Sequence, residues 1–359
     1  MSDAEAPIKH ENYIMRSFCA LIIFCIIFVH YEPCYEIFGM KAYEFVEGVG
    51  RFAMPMFFMV SGYFLYSSDG HSEKQLKRKT LRILFILVFM KVLYFALDCV
   101  YYGFNVITFD VLMEGLITMN WSSKHIWFIY FLFFVYAFHW ILYRFHVDFK
   151  YAMIFGVICL LVDLFLSNVC AWTSLWEIAG VSTFNVGQVF YCFIAFFFFP
   201  FGYYLHKYKD KVDEVKTSTL IVLVIIGAVM EVWEVLNFPT IPNTELSYSN
   251  LYFGSVIIAI SLFILTFRVP PNRLRCRPLE FMGRTLLPWM YAFYMAVMFF
   301  IKFIVMPNFD APLELLDAIG MIVSAILDVA LAYGMYYLLL NTVGKKKAKP
   351  KETVAPAAN

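Results

Sequence analysis

His30 is the residue whose type and place speak most directly of chemistry. It closes the apolar stretch LIIFCIIFVH, with Tyr31 and Glu32 beside it. A neutral imidazole can take a proton from a hydroxyl near pH 7, which a carboxylate or an amine does only after a large pKa shift. A lone histidine in a water-soluble core is more often a satisfied packing residue. Inside lipid an ionisable group is costly, and there the functional reading moves ahead. Carboxylates recur in similar surroundings: Asp163, and Glu231 with Glu234, one helical turn apart and so on one face. Two like charges on one face need a partner or a proton, and a functional cavity and a structural network explain them equally well. Arg51 opens another apolar stretch. Cations gather elsewhere: Arg16, then Lys77, Arg78, Lys79 and Arg82. Membrane orientation and lipid headgroups account for most such charges. The sharper reading is a site for an anionic, phosphate-bearing donor, because phosphates need cations in fixed geometry and Arg supplies that better than Lys. His139 has no comparable company and reads as structural. Asp98 and Lys302, near the ends of apolar runs, read as snorkelling side chains. No His or Cys pair has metal-ligand spacing, so no metal is expected, and there is no Gly-rich phosphate loop.

The elements that must hold these groups follow from composition. Of 359 residues, 62% are hydrophobic and 15% charged, which excludes a disordered chain and argues against a soluble enzyme. The net charge of +1 is too balanced for nucleic-acid binding through a basic face. Apolar runs close to the roughly 20 residues that cross a bilayer recur down the chain. About ten can be read, near 15–34, 46–66, 81–101, 126–143, 151–171, 187–206, 219–238, 251–269, 286–306 and 316–338. They are apolar on every face, so helices are expected rather than the alternating strands of a barrel. The connections at 74–82, 207–216 and 268–284 are rich in Lys and Arg, whereas Lys41 and Lys124 are the main cations on the other side. That division predicts an all-α polytopic membrane protein with both termini cytoplasmic. The start, MSDAEAPIKHENYIMR, is polar and predicts no cleavable signal peptide. Residues 1–344 form one transmembrane domain, followed by a basic, disordered cytoplasmic tail at 345–359. Cysteines are scattered, with no C-x-x-C pair. Only Cys34 and Cys170 stand where a disulfide is conceivable, and none is expected.

Several segments, in order, resemble the acyltransferase 3 family of membrane-embedded O-acyltransferases that modify cell-envelope glycans. The opening span, ENYIMRSFCALIIFCIIFVHY, starts with an Arg and ends in a His. The second, RFAMPMFFMVSGYFL, is similar to the family's P-x-F-F-x-x-S-G-Y segment at Pro55 to Tyr63. A basic turn KRKTLRIL, the H-x-W-F start of HIWFIYFLFF and the G-Y-Y ending of FFFFPFGYYL follow. Three features depart from the pattern. Thirteen residues separate Arg16 from His30, against ten in the family; the R-x-x-R pair reads Lys79-x-x-Arg82; and the late segment FMGRTLLPWMYAFY lacks the family's Ser and His, with Tyr294 near the lost His.

The resemblance implies an acyl-CoA donor, commonly acetyl-CoA, as a co-substrate bound on the cytoplasmic side. It implies transfer of the acyl group to a sugar hydroxyl of a cell-envelope polysaccharide or lipid-linked glycan, in the bacterial cytoplasmic membrane among its lipids. His30 maps to the catalytic histidine. Arg16, Lys79 and Arg82, with Arg78, would hold the donor's phosphates. Arg51, Asp163, Glu231 and Glu234 would contact the acceptor, and Ser61 and Trp127 would shape the tunnel between the substrates, although plain packing is the stronger reading of both. Glu32 or a partner from another helix would orient His30, and transfer through an acyl-histidine is open beside direct attack. A transporter or flippase of a lipid-linked glycan is the rival class. Buried charges suit it, but no inverted repeat or pair of broken helices is visible.

Overall fold

The computed structural model describes residues 13–66, 73–103, 125–169, 172–173, 183–238, 249, 251–269 and 276–343. The expected tail at 345–359, Lys124 and Cys170 lie outside them. In hydrocarbon no water satisfies a free N–H or C=O, so the chain closes its hydrogen bonds within helices. In order these are α1 (Tyr13–Tyr31), α2 (Ala42–Val49), α3 (Ala53–Tyr63), α4 (Glu73–Tyr102), α5 (Trp127–Arg144), α6 (Phe149–Leu164), α7 (Thr183–Lys207), α8 (Lys209–Asp213), α9 (Thr217–Leu236), α10 (Phe253–Thr266), α11 (Arg277–Phe281), α12 (Leu287–Phe299) and α13 (Leu313–Val343). Among the described residues the only strands are β1 (Glu36–Ile37) and β2 (Met40–Lys41). They form a small antiparallel hairpin that pairs Glu36 with Lys41.

Among the described residues seven helical stretches are long and apolar enough to cross a membrane: Tyr13–Tyr31, Glu73–Val100, Trp127–Arg144, Phe149–Val169, Thr217–Leu236, Arg277–Asn308 and Leu313–Thr342. The remaining expected spans take other forms. The second is not one helix. It breaks between α2 and α3, where Arg51 N–H reaches back to the Gly48 carbonyl (3.3 Å) and Ala53 N–H to that of Gly50 (2.9 Å). The sixth is α7, with Pro200 inside it, and the eighth is the 14-residue α10. The expected third span starts at 81, whereas α4 begins at Glu73, so Lys74 to Arg82 occupy helical turns rather than a loop. The expected ninth is longer and changes gauge twice. A π turn at Met282–Leu286 links α11 to α12, and a second at Phe300–Val305 follows α12. Such wide turns re-aim the side chains beyond them.

Small residues bring two of the family-like segments together. A Cβ on Gly62 would overlap the Phe199 carbonyl, and one on Gly202 would overlap the main chain of Met59, so α3 and α7 pack backbone to backbone. Tyr63 stacks on His206 (ring centroids 4.1 Å apart), whose Nδ1 bonds the Tyr63 carbonyl at 2.8 Å. On α9 the two faces separate cleanly. Val229 and Trp233 are 66% and 54% exposed, whereas Glu231 and Glu234 are buried against α10.

Candidate functional site

His30 sits in the last turn of α1. The helix ends there because Glu32 adopts a left-handed conformation (φ 51°). Lys302, from the π turn after α12, donates to the Tyr31 carbonyl at 2.5 Å and lies within 3.4 Å of the Glu32 carbonyl. A cation on the last carbonyls of a helix satisfies them and complements the negative end of its dipole. Lys302, expected to snorkel, places its ammonium on the last carbonyls of α1 and so fixes the end of that helix. Glu32 is exposed beyond that end. The ring neighbour of His30 is Tyr294 of α12, at 5.6 Å between centroids. Two charges act on the imidazole from the broken second span, Glu47 and Arg51, which form an ion pair of 2.8 Å. The surroundings of His30 thus come across helices.

Tyr294 leads to a wider aromatic and polar cluster. His125, just before α5, lies 5.3 Å from the Tyr294 ring and 4.4 Å from that of Tyr94 on α4. The Tyr291 hydroxyl donates to the His125 carbonyl at 2.5 Å. Tyr94 donates to the Ala292 carbonyl at 2.9 Å and accepts from Ala296 N–H at 3.3 Å. These bonds tie α4, α5 and α12 at one depth. Asp328 of α13 is close enough to act electrostatically on both Tyr94 and Tyr294. It is fully buried, and neither of its carboxylate oxygens has a hydrogen-bond partner among the described residues.

Asp328, Ser324 and His125 were not among the residues picked from sequence as site candidates. A signal existed for Asp328, because an acid inside an apolar span suggests function by default. His125 was legible as well, in the H-x-W-F segment.

The other expected site residues are placed as follows. Glu234 accepts the N–H groups of Phe253 (3.1 Å) and Gly254 (2.9 Å), so it satisfies the first turn of α10. Glu231 accepts the Ser255 hydroxyl and feels the Arg51 charge. Asp163 accepts the Ser167 hydroxyl at 2.8 Å, from the next turn of its own helix. Ser61 is half-buried and gives its carbonyl to the Tyr136 hydroxyl at 3.1 Å. Trp127 is half-buried at the start of α5, against Phe128.

The cations do not converge in one cradle. Arg16 lies 3.7 Å from Glu280, Lys79 donates to the Phe64 carbonyl at 2.8 Å, and Arg78 and Arg82 are exposed on one face of α4. Lys77 lies over the Trp140 ring. His139 is buried, bonds the Val135 carbonyl at 2.7 Å and packs against Phe149 and Phe199. Among the described residues no three His, Cys, Asp or Glu gather as a metal site.

A family model described as an acyltransferase domain matches residues 20–337. No curated protein and no solved structure matches the chain.

Proposed function

The chain is a multi-helix membrane protein that belongs to the acyltransferase 3 family. From that premise we propose that it moves an acyl group, commonly acetyl, from a cytoplasmic acyl-CoA to a sugar hydroxyl of a cell-envelope glycan. The observation that carries the reading is His30. It stands near the end of a membrane-spanning helix, fixed by Lys302 and faced by Tyr294, Glu47 and Arg51. An imidazole so placed can serve as general base. It takes the hydroxyl proton as the sugar oxygen attacks the thioester carbonyl. The tetrahedral intermediate collapses with loss of the coenzyme A thiolate, and the imidazolium returns the proton to that sulfur. The products are the sugar ester and free coenzyme A, and the histidine ends as it began.

In this reading Arg16, Lys79, Arg82 and Arg78 hold the donor's phosphates at the inner side. Arg16 then exchanges Glu280 for phosphate, and the exposed pair on α4 reaches it from the headgroup layer. Arg51 contacts the acceptor beside His30. Glu231, Glu234 and Asp163 contribute chiefly by fixing the outer ends of α6, α9 and α10. Ser61 and Trp127 flank the route between the substrates. Ten crossings with both termini inside complete the topology, α2–α3, α7 and α10 joining the seven long helices. The location is the bacterial cytoplasmic membrane.

The test is transfer of label from acetyl-CoA to cell-envelope glycan by purified protein. Transfer by the wild type, lost in His30→Ala, is expected. Movement of glycan across a vesicle membrane without acylation would instead favour the flippase reading.

A further inference from the structure

A second polar group of α13 joins Asp328. Ser324 is one turn earlier on the same face, 1% exposed, and its hydroxyl has no hydrogen-bond partner among the described residues. The same holds for the Tyr294 hydroxyl, also 1% exposed. Buried polar atoms in native proteins are almost always paired, because an orphaned one keeps the full cost of leaving water. In a membrane-embedded core that cost is harder to escape. Three such groups together, one of them a carboxylate with both oxygens unmet, mark a place where a partner beyond the described residues belongs.

Their position is set by packing. Asp317, Gly320, Ser324 and Asp328 recur at helical spacing and form one stripe of α13. The stripe faces α1 at its outer part. Asp317 accepts the Cys34 N–H at 2.9 Å, and a Cβ on Gly320 would overlap the Tyr31 hydroxyl. Asp328 lies eight residues beyond Gly320, about 12 Å along the helix axis and away from the end of α1 that carries His30. Tyr294 bridges the two levels, its ring on His30 and its hydroxyl in the field of Asp328.

We propose that Asp328, Ser324 and Tyr294 form a substrate subsite, joined to His30 through Tyr294, that accepts hydrogen bonds from a neutral polar group of a reactant. A sugar hydroxyl of the acceptor has that chemistry, and so do the amide N–H groups of the donor's pantetheine arm. The inference rests on the acyl-transfer reading above and assigns that reaction a binding element on the last helix.

The experiment measures transfer from labelled acetyl-CoA to octyl glycosides of glucose, galactose and N-acetylglucosamine by the full chain in detergent. Melting temperature is followed alongside. Asp328→Asn replaces one acceptor oxygen with an amide donor at nearly constant volume, and Tyr294→Phe removes only the hydroxyl. Both are expected to raise one KM by about tenfold, as loss of a hydrogen bond to a charged or buried group does. Melting temperature should hold in Asp328→Asn, whose amide is still polar, and hold or rise in Tyr294→Phe, where an unmatched hydroxyl has gone. A rise in the glycoside KM identifies the sugar hydroxyl; a rise in the acetyl-CoA KM identifies the pantetheine amides. Unchanged KM values in both variants overturn the subsite, and so does a fall in melting temperature that alone accounts for lost activity. Failure of the wild type to acylate any of the three glycosides overturns the glycan reading, and this inference with it.

Discussion

Helices α9 and α13 each bury two acids, and they use them in opposite ways. On α9 both carboxylates are matched: Glu234 holds two main-chain N–H groups of α10, and Glu231 holds the Ser255 hydroxyl. On α13 the acid nearer its start, Asp317, is matched by the Cys34 N–H, whereas Asp328 is left with both oxygens open among the described residues. Burial alone therefore does not separate framework from site. A matched acid spends its charge on fixing a neighbouring helix. An unmatched one keeps it for something that arrives, and proteins retain such costly groups chiefly where they work.

The contrast can be broken most severely at His30. His30→Ala should lower turnover by about 10²- to 10⁴-fold, the usual worth of a positioned general base. Melting temperature should change little, since the ring is only half-buried. Rate measurement with labelled acetyl-CoA, beside a thermal melt in detergent, checks both. A variant that stays active would move the chemistry away from α1.

Glu234→Ala probes the framework side. It strips the first turn of α10 of two charge-assisted bonds and should cost about 2 kcal/mol of stability. Whatever rate remains per folded molecule should keep its KM values. Asp328→Asn is the mirror experiment, with KM moved and stability kept; equal behaviour of the two variants would erase the distinction drawn between the helices.

Lys302→Met tests how His30 is held. Losing the cation at the end of α1 should cost about 1 kcal/mol of stability. It should also slow turnover several-fold more than it weakens substrate binding, because His30 loses its fixed backbone. Lys302→Arg should restore part of the rate. A kcat equal to wild type would show that His30 is held without Lys302. The smallest effect is expected at Arg82→Gln. Its side chain is exposed, so the KM for acetyl-CoA should rise by about threefold and converge on the wild-type value at high salt.

Much of the fold is legible in the chain. Apolar runs of bilayer length mark where most helices run, and the Lys and Arg of 74–82 stand apart from the acids of α9. Boundaries are less legible. A window of apolar residues cannot show that the second span breaks at Gly50, or that the ninth passes through two π turns. Both depend on which carbonyl each N–H finds, not on hydropathy. The S-G-Y and G-Y-Y segments are visible as motifs, but that they meet each other through Gly62 and Gly202 is a fact of packing.

For the site, residue type singled out His30, Arg51 and Glu231, and the structure places them around one region linked by the Arg51 charge. Residue type also ranked Glu234 and Asp163 with them, since a buried carboxylate looks alike in sequence whether or not it is matched. His125 was visible inside a motif but carried no role until Tyr94 and Tyr294 were seen around it.

The sequence by itself determined the class of the protein. A chain this apolar must satisfy its backbone inside helices, and cations that cannot enter lipid must collect at helix ends. Only the tertiary structure decided which polar side chains remain available. The partners of Glu234 lie 19 and 20 positions away along the chain, that of Glu231 24 and that of Asp317 283. Tyr294 likewise meets His30 across two separate helices. Hydrogen bonds act over a few ångströms, and nothing in the linear order of residues reports which groups folding will bring that close.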